Sequence, residues 1–160
     1  MNKLKLPLAL IFLLLVFTGC SSDDDDLSEI YSVDDLSLLH NGSFKEWQLE
    51  GYYVNYDNWI SEQNDCLVDD SYIFKIDNEV EVISGGVNCY YGDSEIAEAK
   101  YTFYEEEGTI WLTMIRGEIS DDIVSSTSFS LKLIELTEDR MVFSSGDKAD
   151  YETALIFVKN

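Results

Sequence analysis

Histidine and proline occur once each in this 160-residue chain, at His40 and Pro7, and only 10 lysines and arginines stand against 32 aspartates and glutamates. The shortage of basic side chains excludes nucleic acid as a partner, because that binding rests on neutralising phosphates with Lys and Arg. It also excludes attraction to anionic lipid surfaces. With a single histidine, a Ser-His-Asp or Cys-His arrangement would have to use His40, which precedes the first predicted strand and reads as a solvated surface residue. No Gly-rich phosphate loop and no HExxH helix occurs. The 32 acids form so many possible carboxylate pairs that none is singled out for glycosidase chemistry. The expectation is a protein that is not an enzyme and carries no cofactor. Long apolar runs are lacking too: the longest, Leu6 to Phe17, is too short to span a bilayer comfortably. Pro7 lies inside it, so no proline interrupts the strands predicted downstream.

Lys3 and Lys5 precede that run and Gly19-Cys20 close it, the layout of a signal-peptide core and its cleavage site. "VFTGC", Val16 to Cys20, resembles a bacterial lipobox, which implies cleavage after Gly19 and acylation of Cys20. The other reading is an ordinary secretory signal with Cys20 merely near the cut. A durable anchor needs two or more acyl chains, since a single chain binds reversibly. "SSDDDD", Ser21 to Asp26, resembles the acidic signals that send lipoproteins of some Gram-negative bacteria to the outer face of the outer membrane. It reads equally as a solvated spacer, because a block of like charges repels itself. Residues 1–19 are thus expected to be a signal peptide, 20–40 a lipid-anchored acidic tether, and 41–160 one domain.

Without residues 1–19, 8 basic side chains face 32 acidic ones, a formal charge of −24. Such charge favours solubility, mutual repulsion and affinity for cations or basic partners, and a monomer is expected. If Cys20 carries lipid, Cys66 and Cys89 remain as a pair in an oxidising compartment, where a disulfide is the default. Two isolated cysteines lack the spacing of a zinc motif. Asp57, Asp65, Asp69 and Asp70 cluster around Cys66. They suit calcium, which takes six to eight oxygens, or they hold backbone N–H groups at a strand entry. No twelve-residue calcium loop is recognisable, so no metal is assigned.

"SVDDLSLLHNGS", Ser32 to Ser43, can form a short helical turn capped by Ser32 and stopped at Asn41-Gly42. From Phe44 the pattern changes to runs of six to ten residues, alternating or wholly apolar and punctuated by Asp, Asn, Gly and Ser, as successive antiparallel strands read. Eight strands are predicted: 44–53, 71–76, 80–84, 96–104, 109–115, 128–136, 140–144 and 151–158. Short connections imply neighbours pairing in order, hence a meander that closes into a barrel to remove its edges. In the hairpin from Ser71, a three-residue loop Asp77-Asn78-Glu79 would set Ile76 against Val80, Phe74 against Val82 and Lys75 against Glu81. Cys66 and Cys89 then lie beyond its open end, with Gly85-Gly86 able to supply a bulge. Trp47, Tyr72, Phe74, Tyr101, Phe103 and Leu131 should project inward. Trp111 is ambiguous, since Ile110, Leu112 and Met114 make an equally apolar opposite face.

Four stretches in order, "NGSFKEWQLEGYY" (41–53), "CLVDDSYIFKIDNEVEVISGGVNC" (66–89), "LKLIELTEDRMVF" (131–143) and "ALIFVK" (154–159), resemble the lipocalin-like domains of many bacterial surface lipoproteins. The likeness spans about residues 41–159, and Asn78-Glu79 stands where that family commonly has Asp-Gly. It implies an eight-stranded up-and-down barrel far more securely than it implies an activity.

Tyr52, Tyr53, Tyr56 and Trp59 crowd the first connection, and Tyr90 and Tyr91 follow Cys89. Such aromatics bind sugars or apolar ligands by stacking and burial, or else plug the barrel mouth. The expected ligand residues are Trp47, Tyr53, Tyr56, Trp59, Tyr72, Phe74, Tyr90, Tyr101 and Phe103. The expected function is non-enzymatic binding of a small hydrophobic or glycan-like ligand by a lipid-anchored envelope protein. The alternative is an interaction protein whose filled barrel contacts another envelope component.

Overall fold

The alternation that begins at Phe44 becomes a closed eight-stranded antiparallel up-and-down barrel in a computed structural model, which describes residues 29–60, 65–89, 94–120, 123–146 and 151–160. The elements are α1 (Leu36–His40), β1 (Phe44–Val54), β2 (Asp57–Asn58), α2 (Asp65–Val68), β3 (Ser71–Lys75) and β4 (Glu79–Ile83). They continue with β5 (Ser94–Tyr104), β6 (Thr109–Ser120), β7 (Ile123–Leu136), β8 (Arg140–Ser144) and β9 (Thr153–Lys159). Each long strand pairs with the next, and β1 closes the circle on β9; β2 is a two-residue stub on the end of β1. Closure of β1 on β9 joins the two terminal edges of the meander, the reason a chain of this pattern curls up at all.

Period-two patterning decides the inside. Trp47, Leu49, Tyr72, Phe74, Val80, Tyr101, Ile110, Leu112, Met114, Leu131, Leu133, Met141, Phe143, Leu155 and Phe157 form one buried cluster. On β6 the competition between faces goes to Ile110, Leu112 and Met114, and Trp111 stays half-buried on the outer wall. Phe103 is partly buried and packs against the same cluster. β9 is covered on both sides, with Ala154, Leu155, Ile156 and Phe157 all buried.

The β3–β4 hairpin departs from expectation by a slip of two residues. Phe74 faces Val80 and Tyr72 faces Val82, so the three-residue loop is Ile76-Asp77-Asn78. Asn78 has φ of 69°, the left-handed conformation that such a loop needs in its last position and that Asn tolerates. A shift of two keeps every side chain on its predicted face, but it leaves Ile76 exposed at the loop. Lys75 and Glu81 still meet, now diagonally, at 2.8 Å.

β6 and β7 run farther than expected, to Ser120 and from Ile123. That extension, rich in Ser and Thr, offers little apolar alternation to read, and the ladder with β6 continues through it regardless.

The stretch assigned to the tether is part of the fold from Tyr31 onward. Tyr31 and Leu39 are buried in the core cluster, and the Tyr31 N–H donates to the Gly108 carbonyl at 2.8 Å. Gly108 has φ of 60° and touches Ile30 and Tyr31, so a side chain there would collide with this strap. The Asp35 carboxylate accepts from the Ser32 N–H and hydroxyl at 2.8 and 2.7 Å, and the backbone donor is the main cause of its lowered pKa. Asn41 and Gly42, both at positive φ, end α1 where expected. The strap covers the closed end of the barrel.

His40 is therefore not a solvated surface residue: it is 6% exposed, under the start of β1, and its Nδ1 accepts the Gly42 N–H at 3.1 Å. Desolvation lowers its pKa below 6.5. A depressed folded-state pKa means the unfolded chain takes up the proton first, so the stabilising contribution is complete above pH 6.5 and is lost as pH falls through the lower folded value. Between pH 7.5 and 5, unfolding midpoints of the wild type should fall more than those of His40→Gln, measured side by side in urea; parallel curves would refute this.

Candidate functional site

Antiparallel order puts the end of β1, the start of β3, the β4–β5 connection, the tops of β5 to β7 and the β8–β9 connection at the end opposite the strap. This end is the mouth, and one extra residue in the β1–β9 ladder governs what faces it. In β1 the register jumps between Leu49, opposite Phe157, and Gly51, opposite Ile156. Glu50 is the bulged residue, and beyond it the faces swap. Tyr52 turns inward and packs on the core, while Tyr53 turns outward against Tyr151, ring centroids 5.1 Å apart. Gly51 lies against Ile156, leaving no room for a larger residue without moving that side chain. At the strap end, a similar jump between Leu133 and Glu135 in β7 keeps Leu136 on the core.

Inside the mouth, Tyr52 meets Phe129 edge-on at 5.6 Å, both half-buried. Ile60, Leu67 and Val82, also partly buried, pack against the same core cluster. Below lies a floor of rings in mutual contact: Tyr72 on Phe157, Phe74 on Tyr101, Phe143 and Phe157. Tyr72, Phe74 and Tyr101 are at most 1% exposed. Burial raises the Tyr72 hydroxyl pKa and pushes that of Tyr101 up to about 12.

A charged pair, Arg116 and Asp70, is buried in this interior. Arg116 follows Ile110, Leu112 and Met114 on the inward face of β6 and is 3% exposed. Its Nη1 donates to Asp70 Oδ2 at 2.6 Å, and its Nη2 donates to Glu95 Oε1 at 2.5 Å and to Cys89 Sγ at 3.4 Å. Burial opposes its charge most, but Tyr72, Asp70 and Glu95 together outweigh this and raise its pKa. Two carboxylates against one guanidinium make a compensated buried group.

The same acids hold the β4–β5 connection. Asp70 Oδ1 accepts the Gly85 N–H at 2.8 Å and Asp69 Oδ2 accepts the Val87 N–H at 2.9 Å. A Cβ at Gly85 would overlap the Asp69 carboxylate, so glycine serves close approach there and not the ladder bulge expected at Gly85-Gly86. Cys66 and Cys89 form the disulfide, Cα atoms 5.1 Å apart. It ties α2 to this connection. Reduction should cost about 3 kcal/mol and expose residues 84–89 first. Urea melts with and without a phosphine, with protease mapping of the first cut, check this; an unchanged midpoint would contradict it.

The structure scatters the expected ligand residues. Trp47, Tyr72, Phe74 and Tyr101 belong to the packed core, and Phe103 lines it on β5 below Tyr101. Trp59 is half-buried near the rim, its backbone N–H donating to the Tyr52 carbonyl at 2.7 Å. Tyr56 is exposed at the tip of the β1–β2 turn, where Asn55 and Tyr56 both have positive φ. Tyr90 and Cys20 lie outside the described residues. Asp69 and Asp70 serve backbone donors and Arg116, Asp57 is exposed on β2, and among the described residues no group of three or more acids, cysteines or histidines is placed to hold a metal ion. Sequence reasoning missed Tyr52, Phe129 and Arg116 as a set. Arg116 could have been found by carrying the β6 alternation two residues past Met114.

The fold and the site define a closed antiparallel barrel whose aromatic mouth is braced by a buried arginine and one disulfide. No protein-family model, curated protein or solved structure matches the chain.

Proposed function

We propose that this chain is a non-enzymatic, lipid-anchored envelope lipoprotein, resembling lipocalin-like domains, that binds a small apolar or glycan-like ligand at the mouth of its barrel. Cys20 carries the anchor, and the barrel stands as a monomer on the outer membrane, facing outward. The observation that carries the binding reading is the half-buried, edge-on Tyr52–Phe129 pair packed against the core cluster. Rings of this kind offer a flat apolar surface with a hydroxyl handle. The ligand rests on the aromatic floor and not within a deep cavity, because Phe74 and Phe157 below are 0% exposed. Intrinsic tryptophan fluorescence against a panel of lipids and oligosaccharides tests this, with Trp59 as the reporter at the rim. Saturable quenching that Phe129→Ala weakens at least tenfold is expected; no response from any member of the panel refutes it. Mass spectrometry of the membrane fraction tests the anchor, and an unmodified Cys20 would remove it.

A second reading, an interaction protein with a filled barrel, draws on the same buried rings. Silence in the fluorescence panel together with co-purification of an envelope component would favour it.

A further inference from the structure

β7 is paired on both sides only from Lys132 onward, where Ser144 of β8 meets it. From Ile123 to Leu131 it pairs with β6 alone, and among the described residues no backbone group bonds its other side. These nine residues, about 30 Å of strand, rise past the end of β8 as the outer edge of a β5–β6–β7 ribbon. Natural edge strands are blunted by Lys, Pro, bulges or a short length. "IVSSTSFSL" has no charge, no proline and no glycine, in a chain where charged residues make up 26%.

Its donors can be placed. Ser120 and Ile123 are paired with two residues between them, and in such a hairpin the closing pair exchanges both of its bonds. Odd-numbered β7 residues therefore bond β6, and Val124, Ser126, Ser128 and Ser130 turn their N–H and C=O groups outward. Lys132, next in this series, is where β8 takes over. The Ser126, Ser128 and Ser130 side chains are exposed, so nothing bulky guards the edge.

We infer that the free edge of β7, Ile123–Leu131, receives an extended, basic polypeptide segment of a partner protein as an added antiparallel strand. The occupant follows from charge. A second copy would bring together two chains of −24 each without their signal peptides, whereas a Lys- or Arg-bearing strand is drawn to this surface while backbone bonds hold it. This edge lies on the same strand as Phe129, whose ring packs on the core and meets Tyr52 at the mouth, while the outward backbone groups of Ser126, Ser128 and Ser130 face away from β6.

The probe is a labelled seven-residue peptide of alternating Lys and Val, followed by fluorescence anisotropy with the intact chain. Alternating Lys and Pro keeps its charges but cannot form a strand. Expected is saturable binding of the Lys-Val peptide, at least tenfold weaker for Lys-Pro, and at least tenfold weaker for the Ser126→Pro protein, which loses an outward donor but no bond to β6. Should Ser126→Pro fail to fold, Ser126→Lys with Ser128→Lys repels the same probe and must weaken binding as much. Equal affinity for the two peptides, or undiminished binding by both variants, overturns the inference. So does a concentration-dependent dimer that these variants abolish, which would give the edge to a second copy.

Discussion

Arg116→Ala should destabilise the barrel by about 3–5 kcal/mol, because removing one partner of a buried ion pair strands the other charge. Asp70 is 1% exposed and its Oδ2 lies 2.6 Å from Arg116 Nη1, so no solvent can replace the guanidinium there. Glu95, more open, can turn to water. For a domain of this size the loss corresponds to roughly 10–20 °C in melting temperature. The charge and not the volume is responsible, so Arg116→Met combined with Asp70→Asn should recover most of the loss, as buried ion pairs replaced by neutral groups commonly do. Differential scanning calorimetry of the three proteins decides the matter; a single-variant loss below about 1 kcal/mol would mean that water reaches the site. Asp70 also holds Gly85, so the Arg116→Ala protein should become protease-sensitive at residues 84–89.

Trp47→Ala should be as costly, about 3–5 kcal/mol for a fully buried ring. Trp47 is 0% exposed, and its Nε1 donates to the Leu39 carbonyl at 2.9 Å. The Lys45 ammonium lies 3.9 Å from its ring centroid and reaches the Leu38 carbonyl at 3.0 Å. The indole thus joins the barrel wall to the strap that closes its base. Losing it removes core volume and unfastens α1 together, so hydrogen exchange at residues 31–40 should accelerate beyond what global destabilisation explains. Trp47→Phe, which fills most of the space but cannot donate, should cost less and still loosen the strap. If the strap stays protected in Trp47→Ala, the bond to Leu39 is not what holds it. Trp47 is in this reading a structural residue and not part of the ligand surface.

The strands were legible because each is written in its own residues. Tyr101, Phe103 and the intervening Thr102 announce a face whatever lies opposite, and so do Leu131 and Leu133 around Lys132. The mouth was less legible because one local irregularity alters it. Counting by twos from Trp47 through Leu49 points Tyr53 inward; the bulge at Glu50 sends Tyr52 there instead and sets Tyr53 against Tyr151. A bulge is a relation between two strands, one of which lies more than 100 residues away in the sequence. The hairpin slip has a similar origin: Asn78 accepts the left-handed position, so the loop closes one residue earlier than the apolar matching of Ile76 with Val80 suggests, and the register shifts by two.

Taken alone, the sequence determined that this is an all-β chain of eight strands, which face of most strands is buried, and which two cysteines are near enough to join. Alternation and turn chemistry are properties of neighbouring residues, so they survive without knowledge of the fold. Tertiary structure alone decided that His40 is buried beneath the strap and that Arg116 meets Asp70 and Glu95 across 46 and 21 residues of chain. Among the described residues, it alone leaves β7 without a partner on its β8 side before Lys132. Those outcomes depend on where a closed barrel brings its ends and rims together, and that is fixed by the tilt and stagger of all eight strands at once.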